Sequence, residues 1–476
     1  MAEVKGLWIN GSWHVRERRQ PIVSLATGEV LAEISLASSE DVAKAVEGAH
    51  TAFLDWRKRS AHERSRILYR LVELIKEHHA SLSRLIAEEA GKPLKAARGE
   101  VSRAIQTYLF SAEEAKRIGG ETIPMDAAPG GEGRLGFTWR EPLGVVAAIT
   151  PFNFPLNLVA HKLGPAIASG NAVVLKPAGA TPLSSLRIAE LFAEAGLPEG
   201  VLQVVTGSGG EIGDLLVTHP LIKLITFTGS PVVGKRIREK SGLKRTILEL
   251  GSNSAVVVEP DAPFQLAVRR VAEGAFQYAG QICISVQRIY VHEDIFDRFR
   301  EALQEATMQL KVGSPLEDTT DVGPMIHAKE AERVASWIEA AVQGGAKIAY
   351  GGTREGQYLA PTILLDVKPD MSVVKDEVFG PVASLIPYSH LDEAIKMVND
   401  SRYGLNVGLF TRDIAKAFRA ARMFEVGGVM VNEIPTFRVD HMPYGGVKES
   451  GLGREGIQYA IEEMTELKFV MVNLNI

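Results

Sequence analysis

The chain has 476 residues, 46% of them hydrophobic and 23% charged, with 45 glycines spread through it; it is too long for one ordinary core, so two or three domains are expected. Its formal charge of -5 comes with no run of lysine or arginine, which leaves nucleic acid without an electrostatic footprint, and no apolar stretch is long enough to span a bilayer. A single cysteine excludes an intrachain disulfide, the 11 histidines show no ligand spacing that would suggest a metal, and residues 1–13 lack the pattern of a cleaved signal, so a reducing cytoplasm is expected.

Along the chain, Ser38 with Asp41 forms a capping box that opens a helix carrying Val42, Val46, Ala49 and Phe53 on one face. Ser60 with Glu63 opens a second helix. Its apolar face is Ile67, Leu71, Leu74 and Ile75, and it is expected to run on to Gly91, with Pro93 as a stop and His78-His79 as solvated surface. From about 143 to 250 short apolar runs (145–149, 172–175, 201–205, 224–227 and 246–248) alternate with helical segments. Such a pattern predicts a parallel sheet covered on both faces, with its chemistry at the carboxyl ends of the strands. Those ends carry Thr-Pro-Phe-Asn-Phe-Pro (150–155), Lys-Pro-Ala-Gly-Ala-Thr-Pro (176–182), Phe-Thr-Gly-Ser (227–230) and Glu-Leu-Gly-Ser-Asn (249–253). A second block begins with the run 255–258, then a helix expected to be nucleated by Asp261 and Pro263, then the cysteine segment and a strand at 288–291. Near the end of the chain, 467–472 reads as a strand without a partner, which invites pairing with another subunit.

The cysteine is Cys283, in Gly-Gln-Ile-Cys-Ile-Ser-Val. A lone cysteine is more often an inert small hydrophobe than a nucleophile. Here it follows a predicted helix in a small polar segment, and Glu249 and Asn153 lie at strand ends that converge with it. The series 151–155, 170–177, Phe227-Thr228-Gly229-Ser230 with Gly234, Glu249-Leu250-Gly251, Gly280-Gln281-Ile282-Cys283, 377–381 and 443–448 with Ser450-Gly451 resembles the motif series of the NAD(P)-dependent aldehyde dehydrogenase superfamily, in family order from about residue 8 to the C-terminus.

The resemblance implies an aldehyde dehydrogenase-like α/β fold: two doubly wound domains, a dinucleotide-binding one from 1–120 and 140–251 and a catalytic one from 252–450, with an oligomerisation flap from 121–139 and 467–476. It implies a homodimer or homotetramer. It implies that Cys283, as a thiolate with a depressed pKa, attacks the aldehyde, that the Asn153 amide and the Cys283 N–H receive the oxyanion, and that Glu249, set by partial burial, activates water to hydrolyse the thioester. Lys162 resembles the family lysine near that base, with a structural ion pair as its other reading. For NAD or NADP, the resemblance implicates Thr150, Lys176, Phe227, Gly229, Ser230, Val233, Gly234, Glu377 and Phe379. Gly179 stands where NAD-preferring relatives carry a glutamate, so a barrier to NADP is absent without a cation being supplied, and either dinucleotide is open.

The segment 437–443 and Gly251-Ser252-Asn253-Ser254 look like the lactaldehyde dehydrogenase-like branch, near the non-phosphorylating glyceraldehyde-3-phosphate enzymes. That branch implies a small polar or anionic aldehyde. Arg438, with Arg103, could meet an anionic group on it, and an Arg438-Asp440 or interdomain ion pair is the structural alternative. A succinate-semialdehyde-type or broad-specificity dehydrogenase is the nearest competing function. A CoA-acylating enzyme is opposed by Glu249, and a non-catalytic dinucleotide-binding scaffold by the intact Cys283, Asn153 and Glu249.

Overall fold

The five apolar runs of the first block become the strands Val145–Ile149, Ala172–Lys176, Leu202–Val204, Ile222–Thr228 and Arg245–Glu249 in a computed structural model that describes residues 3–475. All five are parallel, and their central positions are buried because helices cover both faces. The helix Ser39–Trp56 packs Val42, Val46, Ala49 and Phe53 on one face of this sheet. The helices Ala61–Glu77, Leu94–Glu114 and Asn157–Ala168 pack on the other.

The chain lays down Val145–Ile149, moves outward through Ala172–Lys176 to Leu202–Val204, then returns to place Ile222–Thr228 and Arg245–Glu249 on the opposite side. Strand order therefore reverses beside Val145–Ile149, which opens a crevice at the carboxyl edge. The register brings Ile149 level with Lys176 and Phe227, and Thr228 level with Glu249. The motif residues emerge from this one edge. Short antiparallel strands finish the sheet, Leu7–Ile9 with Ser12–His14 at one end and Gly451–Leu452 at the other.

A second sheet has the order Lys347–Tyr350, Thr362–Leu365, Val382–Tyr388, Arg288–His292, Ala255–Val258, Asn406–Phe410, Gly428–Val431, parallel throughout except at its first pair. Cys283 lies on the segment that enters Arg288–His292. The result is an α/β fold of two largely parallel sheets with smaller ones beside them, among them a three-stranded antiparallel sheet formed by Thr122–Ile123, Arg134–Pro142 and Thr465–Asn473.

Three local expectations are corrected. The helix opened by Ser60 ends at Glu77, and a separate helix, His79–Ala90, follows across His78, whose φ of -97° and ψ of 13° leave the helical region. Asp261 does not cap the helix Phe264–Phe276, which starts after Pro263; its carboxylate accepts from Thr411 Oγ1 and the Arg412 N–H instead. The last strand is not unpartnered within the chain: Thr465–Asn473 pairs along its whole length with Arg134–Pro142, which leaves only its outer edge open.

Candidate active site

Cys283 is delivered by an unusual turn. Tyr278, Ala279 and Gly280 have φ of 51°, 52° and 66°, three left-handed residues in a row. The conformation costs a non-glycine residue about 1–2 kcal/mol, so it persists only where neighbours hold it. Tyr278 Oη donates to the Ala90 carbonyl at 2.7 Å, and the Gln281 side chain accepts the Ile326 N–H at 2.9 Å. A Cβ at position 280 would run into the Gly380 carbonyl, so glycine is required there. Asn153 is tied to the same turn, one of its two amide hydrogens going to the Gln281 carbonyl at 2.9 Å. The structure thus brings Asn153 and Cys283 together.

The Cys283 thiol meets the Tyr444 hydroxyl at 2.9 Å and opens on a cavity of about 310 Å³ whose wall includes Lys95, Glu100, Arg103, Asn157, Thr436 and Arg438. Burial pushes the thiol up to about 12, and the Glu377 and Glu249 carboxylates push in the same direction, while Tyr444 and Arg438 oppose them. The expected depressed thiol is therefore not what this resting geometry gives. The segment follows the C-terminal end of Phe264–Phe276, so no helix N-terminus offsets the loss of solvent.

Glu249 ends its strand fully buried rather than partly so, with no partner for either carboxylate oxygen among the described residues. Burial first, then the nearby Glu455 carboxylate, raise it well above the ordinary carboxylate range, while Arg438, Lys162 and Arg454 pull the other way. Lys162 does not reach it. Its ammonium donates to Thr226 Oγ1 at 3.1 Å and to Glu455 at 3.2 Å.

Arg438 also binds Glu455, at 2.9 Å, and lies over the Tyr444 ring at 3.7 Å. The expected Arg438-Asp440 pair is absent among the described contacts. Asp440 instead accepts from Arg103 at 2.7 Å, His161 Nε2 at 2.9 Å and Asn157 at 3.0 Å. Against burial, His161 and Arg103 hold its carboxyl well below the usual range.

The residues expected for a dinucleotide line the carboxyl edge of the first sheet. Thr150 and Lys176 are buried, and Lys176, whose ammonium meets only the Pro177 carbonyl, is lowered by burial to about 8. Ser230 caps the helix Pro231–Lys240 through the Val233 N–H, and Val233 stands half exposed beside it. Gly229 and Gly234 each lie where a Cβ would strike a neighbour, Phe227 and Leu250 respectively. From the second sheet come Glu377, which accepts the Ser252 N–H at 3.0 Å and is raised by burial to about 7, and Phe379, edge-on to Phe152 at 5.8 Å.

The aldehyde dehydrogenase family model matches residues 13–470. The chain belongs to the aldehyde dehydrogenase family. It is 51% identical to a 3-sulfolactaldehyde dehydrogenase of Priestia aryabhattai over 98% of both chains, and 41% identical to a lactaldehyde dehydrogenase of Methanocaldococcus jannaschii over 98% of this chain and 100% of the other. Among solved structures it is similar to a glyceraldehyde-3-phosphate dehydrogenase of Methanocaldococcus jannaschii complexed with NADP, with a TM-score of 0.93 and 40% identity over 96% of this chain and 100% of that one. This aldehyde dehydrogenase is an oxidoreductase acting on the aldehyde group.

Its crevice fits the dinucleotide that the family uses. Thr228 Oγ1 is buried with no partner among the described residues, at the edge where a pyrophosphate would arrive. Several residues of the site were not anticipated from sequence. Tyr444 lies inside a family motif that gives it no role, and Glu455 carries only the signal of a single acid near a glycine-rich run, while Asp440, expected only as a partner for Arg438, binds Arg103, His161 and Asn157. Lys92 and Glu100 form a buried ion pair, and Lys92 lies over both Phe154, at 3.6 Å, and Tyr278, at 4.7 Å. Glu100 in turn accepts the N–H groups of Leu156 and Asn157, at 2.9 Å and 3.1 Å, so the pair spans the Asn153 loop and the Cys283 turn.

Proposed function

We propose that this aldehyde dehydrogenase oxidises small 2-hydroxyaldehydes, preferentially those carrying an anionic group on the third carbon, to their carboxylic acids with NAD or NADP. The observation that carries the reading is the cavity of about 310 Å³ in front of Cys283, whose wall bears the cations Lys95, Arg103 and Arg438. Around its inner end three cations, Arg103, Lys162 and Arg438, face two paired carboxylates, Asp440 and Glu455, which leaves one positive charge when Glu249 is protonated. The named relatives support it: sulfolactaldehyde, lactaldehyde and glyceraldehyde 3-phosphate share a three-carbon skeleton with a hydroxyl beside the aldehyde. Arg103 is the better anchor for the anion, because its side chain is 30% exposed while that of Arg438 is only 5% exposed and lies against the Tyr444 ring.

In this reading the Cys283 sulfur attacks the aldehyde carbon and the carbonyl electrons move to oxygen. The second Asn153 amide hydrogen and the Cys283 N–H receive that oxyanion, each such donor supplying roughly 3–4 kcal/mol in comparable sites. NAD or NADP, held by Lys176, Ser230, Glu377 and Phe379, supplies the hydride acceptor. Glu249 takes a proton from the water that attacks the thioester, the carbon–sulfur bond breaks, and the acid leaves. Gly179 leaves both dinucleotides admissible. The lone thiol fits a reducing cytoplasm, and the open outer edge of Thr465–Asn473 fits a homodimer or homotetramer.

Steady-state rates with 3-sulfolactaldehyde, glyceraldehyde 3-phosphate, lactaldehyde and propanal, without CoA, test the substrate class. Arg103→Met is expected to lower kcat/KM at least about tenfold for the anionic aldehydes, the scale of one charge-assisted contact, and to leave propanal nearly unchanged. An equal loss for all four would contradict it.

A further inference from the structure

Tyr444 has no part in the chemistry just described, yet its hydroxyl is the only hydrogen-bond partner of the Cys283 thiol among the described residues, and the thiol is its only partner in turn. The phenol is fixed from every side. Its backbone exchanges two hydrogen bonds with Glu455, at 3.0 Å and 2.7 Å, and the side chain is buried. The Arg438 guanidinium lies over the ring at 3.7 Å, and is itself held by Glu455, which Lys162 holds from the opposite side. A cation over the ring draws electron density from the phenol and makes its O–H a better donor.

With the thiol neutral, either atom can be the donor across the 2.9 Å contact. Once the thiol ionises only the phenol still carries a hydrogen, and a hydrogen bond to a charged acceptor is roughly twice as strong as a neutral one. The contact therefore favours the thiolate over the thiol. We infer that Tyr444 is a further catalytic residue of this enzyme, donating its O–H to the Cys283 thiolate, with Arg438 as the positioning residue that holds and polarises it.

The other charged groups around the sulfur explain why such a donor is needed. Burial, Glu377 and Glu249 all disfavour the thiolate, whereas the hydrogen bond with Tyr444 and the charge of Arg438 favour it. Glu100 on the cavity wall is neutralised by Lys92, Arg103 by Asp440 and Lys95 by Asp321, so none of these replaces the phenol. The inference rests on the nucleophilic role of Cys283.

The test is the pH dependence of Cys283 alkylation by iodoacetamide in the intact enzyme and in Tyr444→Phe, which keeps the ring under Arg438. The expected result is a midpoint displaced upward by about one pH unit or more, hence an alkylation rate at least about tenfold lower at neutral pH, with the same limiting rate at high pH. An unchanged or lowered midpoint would overturn it. If Tyr444→Phe does not fold, 3-fluorotyrosine at position 444, a more acidic phenol of nearly the same shape, is expected to move the midpoint down, and an unmoved midpoint overturns the inference equally. Failure of the underlying reading looks different: alkylated wild-type enzyme would still turn over aldehyde.

Discussion

Glu249 combines two properties that seldom coexist in a stable protein, a carboxylate fully buried and both of its oxygens without a partner among the described residues. Its pKa in the fold is raised above the unfolded value, so the charge costs stability as pH rises through the folded pKa and costs nothing below the ordinary carboxylate range. Glu249→Gln is accordingly expected to stabilise the enzyme by about 1 kcal/mol near pH 8 and by nothing near pH 4, the usual trade between an active-site charge and folding. Denaturant midpoints of the two proteins at both pH values check it; a variant less stable than wild type at pH 8 would contradict it. The same shift makes the base work better in alkali. Decay of the acyl-enzyme in single turnovers should keep rising above about pH 6, where an unshifted glutamate would already be almost fully ionised.

Elements place these residues, and they differ in how openly the sequence declares them. The strands Val145–Ile149, Ala172–Lys176 and Arg245–Glu249 were legible because a strand buried on both faces must be apolar at nearly every position. Leu7–Ile9 and Gly451–Leu452, which complete the same sheet, are too short to carry a period and depend on partners far away in the chain. The break at His78 was hidden because apolar residues continue at helical spacing on both sides of it. Cys283, Asn153 and Glu249 could be named from local motifs. The partners of Lys162 and Arg103 could not, since Lys162 and Glu455 lie 293 positions apart and Arg103 and Asp440 lie 337 apart.

The Lys92–Glu100 pair belongs to this scale too, because it joins the end of His79–Ala90 to the start of Asn157–Ala168 through the two N–H groups that Glu100 accepts. Glu100→Gln keeps acceptors for those groups but strands a buried ammonium. It is expected to destabilise the enzyme by about 3 kcal/mol. Chemical denaturation reads this directly, and a change below about 0.5 kcal/mol, the range of ordinary surface substitutions, would show that the pair is not structural.

At the scale of the molecule the three-stranded sheet stands apart from both cores. Leu467, Phe469 and Met471 project from one face of Thr465–Asn473, while Leu135 and Trp139 of the partner strand project from the other, and all five are exposed. A sheet with apolar residues bare on both faces and an open outer edge is suited to a second copy of the chain. Deleting residues 467–476 is expected to yield monomers by light scattering after gel filtration, and an unchanged mass in solution would refute the assignment. No helix among the described residues is long and apolar enough to cross a membrane.

In the proposed mechanism Cys283 carries the acyl group and Glu249 releases it. Its most direct test is the intact and peptide mass of Glu249→Gln after incubation with lactaldehyde and NAD or NADP, quenched in acid. One lactoyl group per chain is expected, on the peptide containing Cys283, with NADH or NADPH formed in a single stoichiometric burst. Steady turnover without an adduct, or an adduct on any other residue, would contradict it.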